Sequence, residues 1–320
     1  ITLIYTFIGG MRAVIWTDVV QMFIYLGGAI AAIVVLLGKL PEGLSSIVTG
    51  EVGSKLNIFY EGYERSFGEF FQTPYTLIAS VLGGAFLSMA SHGTDQLIVQ
   101  RLLTTKSLRD SQKALITSAL IVMAQFFLFL MIGIFLYVFY HGVAMRSDEV
   151  FPKFIIEQMP TGISGLIIAG LLAAAMSTLS GSINSLAASA TLDFYKQYRG
   201  KNSSEEAQMR ISKLFSMGWG LLLVGAAILF MNTSRAVVEL GLSIASLTYG
   251  ALLGTFLLGV ISKKATQTAA LSGFAAGLLT MVVVGTFVNI AWTWYTVVGS
   301  GATVFVGSVV SLLFPRTEHT

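Results

Sequence analysis

The 320 residues carry 55% hydrophobic and only 11% charged side chains, against about 25% charged in a soluble domain, so an ordinary water-soluble globule is excluded. The formal net charge of +3 is no nucleic-acid signal, because in a membrane protein the loops that hold the Lys and Arg matter more than their sum. Cysteine is absent, which leaves no disulfide framework, thiol nucleophile or Cys-based metal site and says nothing of redox compartment.

Apolar runs separated by charged or Gly/Pro-bearing breaks predict an all-α, polytopic membrane protein bedded in a lipid bilayer. Residues 1–9 read as the tail of a helix, with a turn at Gly9-Gly10. The next helix is expected over about Ala13 to Gly38, with Asp18 some two turns inside its start. A polar loop follows over 39–72, then a span over 73–103 that is interrupted by Ser91-His92-Gly93-Thr94-Asp95-Gln96. Later spans are expected at about 111–141, 162–192, 211–232, 236–261, 267–290 and 294–314.

The cations set an orientation. Arg12, Arg101, Lys106, Arg109, Lys113, Lys196, Arg199, Lys201, Arg210, Lys213, Lys263, Lys264 and Arg316 fall on one side of this alternating topology. That side is cytoplasmic by the positive-inside rule, which also places the C-terminus in the cytoplasm, and the expected membrane is the plasma membrane.

Three stretches carry candidate chemistry. In the run from Ala169 to Tyr195 the polar groups are hydroxyls apart from one amide at Asn184, with no charge until Asp193, and Ala174, Ser177, Thr178 and Gly181 share one helical face with Ser180 and Asn184 at its edge. Hydroxyls and backbone carbonyls suit a hard monovalent cation, here sodium. Small hydroxylated residues equally let membrane helices pack closely. In the interrupted span, the cluster of Ser, His, Gly, Thr, Asp and Gln at membrane depth must face protein or a water-filled cavity. Transporters bind solutes at such breaks, which makes Ser91, His92, Thr94, Asp95 and Gln96 the candidate substrate residues. The other reading is that His92 and Asp95 are packed and mutually satisfied, or that Asp95 reaches Arg101 or water. Asp18 is the third, since a carboxylate in hydrocarbon needs a cation, hydroxyls or water beside it. It either lies on an ion path or caps or bridges at the helix start near Arg12.

Enzyme chemistry finds no footing. Only His92, His141 and His319 are present, without an HExxH pattern, and the Gly-Gly pairs lack the setting of a phosphate loop.

The hydroxyl helix resembles the signature helix of the sodium/solute symporter family, whose Ala, two residues, then paired Ser/Thr is matched by Ala174, Ser177 and Thr178. GGMRAVIWTDVVQMFIYLGG from Gly9 to Gly28 and TDQLIVQR from Thr94 to Arg101 match the family elsewhere. The resemblance implies a leucine-transporter-like inverted-repeat fold of five plus five helices. Residues 1–38 would end the first repeat, 39–72 form an extracellular loop, 73–262 form the second repeat and 263–320 add peripheral helices, in a fragment lacking the first four core helices. It implies sodium-coupled symport of a small organic solute, with Na+ as coupling ion at Ala174, Ser177, Thr178, Ser180 and Asp18. Ser177 and Ser180 match the family's second-ion pattern, whereas Gly181 departs from it. Met123 and Leu242 stand where glucose-type members carry Lys and Gln, which points away from a glucose-like solute. The run Ser243 to Gly259 looks closer to the branch carrying monocarboxylates and vitamins. A sensory membrane domain of a signalling protein is the competing expectation, because the same fold occurs fused to signalling modules.

Overall fold

The structure, a computed structural model, describes residues 2–40, 53, 56–57, 59–198, 203–231, 236–262 and 265–314, with backbone only for 2–15, 96, 97, 100 and 101. Helices and turns make up its regular structure, and no strand occurs among the described residues. In chain order the helices are α1 (Thr2–Lys39), α2 (Phe67–Gln72), α3 (Gly84–Gly93), α4 (Gln96–Leu103), α5 (Leu108–Phe139), α6 (Ser147–Gln158), α7 (Thr161–Ser189), α8 (Glu205–Phe230), α9 (Val237–Ile261), α10 (Gln267–Phe287) and α11 (Tyr295–Leu313). A π-helical turn at Ala79–Gly83 precedes α3, and another at Ala190–Tyr195 carries α7 on to Tyr198. Seven helices are long and apolar enough to cross a membrane among the described residues. The chain is thus an all-α, multi-pass membrane protein.

Three expectations change. The turn at Gly9-Gly10 is absent, and α1 runs unbroken through both glycines. Each glycine costs a helix about 1 kcal/mol, less than a helix loses by leaving backbone groups unbonded in an apolar setting. The side chain of Arg12 lies outside the described residues. Within the expected loop, α2 is started by a capping box in which the Ser66 hydroxyl accepts from the Glu69 amide and the Glu69 carboxylate accepts from the Ser66 amide. The third change is α6, which fills a stretch expected to be only a break, and does so despite Pro152 inside it.

The described residues fall into two compact units, one built from 1–53 and 123–234, the other from 54–122 and 235–320. In the first, Ala29, Ala32 and Leu36 of α1, Ile132, Phe135 and Leu136 of α5, Phe154 and Ile155 of α6, and Ile167 of α7 form one core. There α1 and α7 pack through small residues. A Cβ at Gly28 would lie 2.5 Å from Ile167 Cγ1, and one at Gly170 would lie 2.5 Å from Ile24 Cγ2. Residue numbers rise along α1 as they fall along α7, so the two helices are antiparallel.

In the second unit α9, α10 and α11 pack closely. Gly250 faces Gly299, Gly254 faces Thr303, and Gly273 and Gly277 also meet α11 at Thr303. With no apolar solvent advantage between helices in lipid, such close backbone approach supplies the contact energy. The buried hydroxyls of Thr303 and Ser311 donate to carbonyls four residues back, at 2.9 and 2.8 Å.

Candidate functional site

The α1 and α7 packing brings two of the expected site residues together. Ile167, Gly170, Ala174 and Ser177 repeat at three- and four-residue steps along α7, so the face that meets Ile24 and Gly28 continues to Ser177. There the Ser177 hydroxyl, only 9% exposed, donates to Asp18 Oδ1 across 3.4 Å. Ala174 and Ser180 are half-buried nearby along the helix, and Thr178 is exposed. Because α1 begins at Thr2, Asp18 lies well inside a continuous helix, and the reading in which it caps a helix start near Arg12 no longer has a start to cap.

Chemically the pair is a carboxylate oxygen and a hydroxyl oxygen 3.4 Å apart. Its 3.4 Å separation is long for a hydroxyl–carboxylate hydrogen bond, whose usual length is about 2.7 Å. A hard monovalent ion fits such an oxygen set. Among the described residues no group of three His, Asp or Glu gathers that would suit a transition metal.

The interrupted span breaks where the polar residues lie. α3 ends at Gly93, the chain leaves helical hydrogen bonding at Thr94 and Asp95, and α4 starts at Gln96. The Thr94 hydroxyl folds back to the Ala90 carbonyl at 2.7 Å. Ser91 Oγ lies 2.8 Å from His92 Nδ1, and both approach the Ser88 carbonyl, at 3.2 and 3.1 Å. His92 is exposed, while Ser91, Thr94 and Asp95 are half-buried. The side chain of Gln96 lies outside the described residues.

Asp95 finds a partner that sequence reasoning missed. The Tyr249 hydroxyl on α9 donates to Asp95 Oδ2 at 2.7 Å. Tyr249 carried a faint signal, as the one aromatic polar residue in the small-residue run Ser243 to Leu253.

A cavity of about 480 Å³ lies in the first unit against Phe129, Leu136, Tyr140, Val150 and Phe151, and none of the expected site residues lines it.

Comparison with known proteins places these features in context. The profile of the Sodium:solute symporter family matches residues 1–277. The sodium/sialic acid symporter of Aliivibrio fischeri is 30% identical over 99% of this chain and 63% of its own length. Sodium-coupled monocarboxylate transporter 1 of Homo sapiens is 30% identical over 88% of the chain and 46% of its own length. A sodium/glucose cotransporter of Vibrio parahaemolyticus is 26% identical over 86% of the chain and 54% of its own length. The chain therefore spans less than two thirds of the length of these relatives.

Proposed function

Because the chain belongs to the sodium:solute symporter family, a family of transporters and not of enzymes, we propose that it belongs to a carrier that couples a sodium gradient to uptake of a small organic solute. The observation that carries this reading is the Asp18 carboxylate facing the Ser177 hydroxyl across the α1 and α7 seam. Sodium binds there, with the Ala174 carbonyl, Thr178 and Ser180 completing the oxygen set as the carrier moves, and the solute binds against Ser91 to Gln96 at the break.

The inverted five-helix repeats, the division into 1–38, 39–72, 73–262 and 263–320, and a cytoplasmic C-terminus in the plasma membrane belong to the same proposal. The cation distribution supports that orientation. For the solute we favour a carboxylate-bearing molecule. Sialic acid and monocarboxylates, named for two of the relatives, share that group. Met123 and Leu242 support a solute unlike glucose, while the likeness to a sodium/glucose cotransporter pulls the other way. The sensory reading has no observation in its favour, since the relatives compared are carriers.

Uptake by the full-length protein in proteoliposomes tests the proposal, with radiolabelled sialic acid, lactate and glucose each assayed under an inward sodium or potassium gradient. Sodium-dependent accumulation of one of the two acids is expected. Equal uptake under both gradients would remove sodium coupling, and accumulation of glucose alone would remove the solute class.

A further inference from the structure

The break at Thr94 and Asp95 needs something to hold its angle. α4 has eight residues, too few for a helix to persist on its own account, and the break removes the continuous hydrogen bonding that would tie it to α3. Asp95 stands at the entrance to α4, with its carbonyl accepting the Val99 amide at 2.9 Å. Its carboxylate therefore sits at the positive end of the short helix.

Tyr249 reaches that carboxylate from a stiff support. Its neighbour in sequence, Gly250, meets Gly299 backbone to backbone, and Gly254 one turn further meets Thr303. At these positions α9 has little freedom to move against α11. The 2.7 Å contact between a phenol and a carboxylate is charge-assisted, one of the stronger hydrogen bonds a protein makes. In α9 the Tyr249 side chain is half-buried, where an unmade hydroxyl bond would be costly.

We propose that Tyr249 is a positioning residue for solute binding: its hydroxyl holds Asp95, sets the angle at which α4 leaves the break, and so fixes Ser91, His92 and Thr94 for the solute. The solute part rests on the reading of the break as the solute site; the tether between α4 and α9 does not. Tyr249 would touch no solute itself.

The test uses full-length protein carrying Tyr249→Phe, which keeps the ring and removes the hydroxyl. Hydrogen–deuterium exchange in lipid nanodiscs, without any solute, is expected to quicken at least tenfold over residues 96–103, the size of effect that loss of a hydrogen bond to a charged group gives. Exchange over 269–286 and 296–311 is expected to stay unchanged. In proteoliposomes with radiolabelled sialic acid, the apparent KM is expected to rise about tenfold or more with turnover within twofold of the wild type. An unchanged rate over 96–103 would overturn the tether, and faster exchange throughout the second unit would reduce Tyr249 to general packing. A wild-type KM in the variant, at any maximal velocity, would overturn the link to solute. Should the wild type take up no sialic acid, the exchange measurement still decides the tether while the solute assignment fails separately.

Discussion

Ile24 of α1 occupies the space that a side chain at Gly170 of α7 would need, and seven residues further along α7 Ser177 faces Asp18. The seam and the proposed ion site are one register. Gly170→Val would push Ile24 away, at a cost of about 1–3 kcal/mol for overpacking, and would widen the gap at Asp18 without altering a single oxygen. On the proposed function, the expected outcome in the full-length protein is a sodium half-saturation raised several-fold with solute KM at saturating sodium unchanged. Uptake at graded sodium measures it. Gly165→Ala, at a position with nothing within 4 Å, serves as the control.

Direct removal of the oxygens should act more strongly. Ser177→Ala and Asp18→Asn are each expected to raise the sodium half-saturation by about tenfold, since a lost ligand in a dry site is not easily replaced. Thr178→Ala is expected to do less, because Thr178 is exposed. Sodium dependence equal to wild type in Ser177→Ala would remove that residue from the site.

The hydroxyl run and the polar break were legible in the sequence because both violate the apolar rule of a membrane span, and the structure sets the break at Thr94 and Asp95. The Asp95 partner was not legible. Tyr249 lies 154 residues away, and nothing in local spacing joins a carboxylate on one helix to a phenol on another. Gly9-Gly10 misled for a different reason. Glycine pairs signal turns in water, where backbone groups freed from a helix find solvent, whereas α1 keeps them bonded. The Ser66 and Glu69 capping box was present in the sequence all along, hidden by the acidic surroundings that marked 39–72 as loop.

That capping box gives a pH prediction. The Ser66 hydroxyl and then the Ser66 amide, both bonding the Glu69 carboxylate, hold Glu69 below the usual carboxylate range. A depressed folded value means that the stabilisation is fully present above the unfolded glutamate range and is lost as pH falls through the folded value. Amide exchange over 67–72 is therefore expected to quicken beyond its intrinsic pH dependence on going from pH 6 into the acid range below that of a free glutamate. Glu69→Gln should abolish the step.

The α9–α11 packing should be intolerant of bulk. At Gly277 a Cβ would collide with the Thr303 hydroxyl and lie 3.2 Å from both the Ala251 Cβ and the Gly299 carbonyl oxygen. Gly277→Val is expected to destabilise by about 1–3 kcal/mol, read as a lowered Tm in detergent, with Gly259→Ala near wild type because that glycine has nothing within 4 Å.

The unbroken α1 has a mechanical consequence. Gly28, seated against Ile167, lies about midway between Asp18 and Lys39 on a continuous helix. Asp18 lies about 15 Å to one side along the axis and Lys39 about 16 Å to the other, at 1.5 Å per residue. At that far end the Lys39 ammonium donates to Gln158 Oε1 at 2.7 Å. A tilt of about 4° over arms of this length moves both ends by about 1 Å in opposite directions. The lever ratio is close to one, so a rigid tilt about Gly28 would move Asp18 and Lys39 by equal distances in opposite directions.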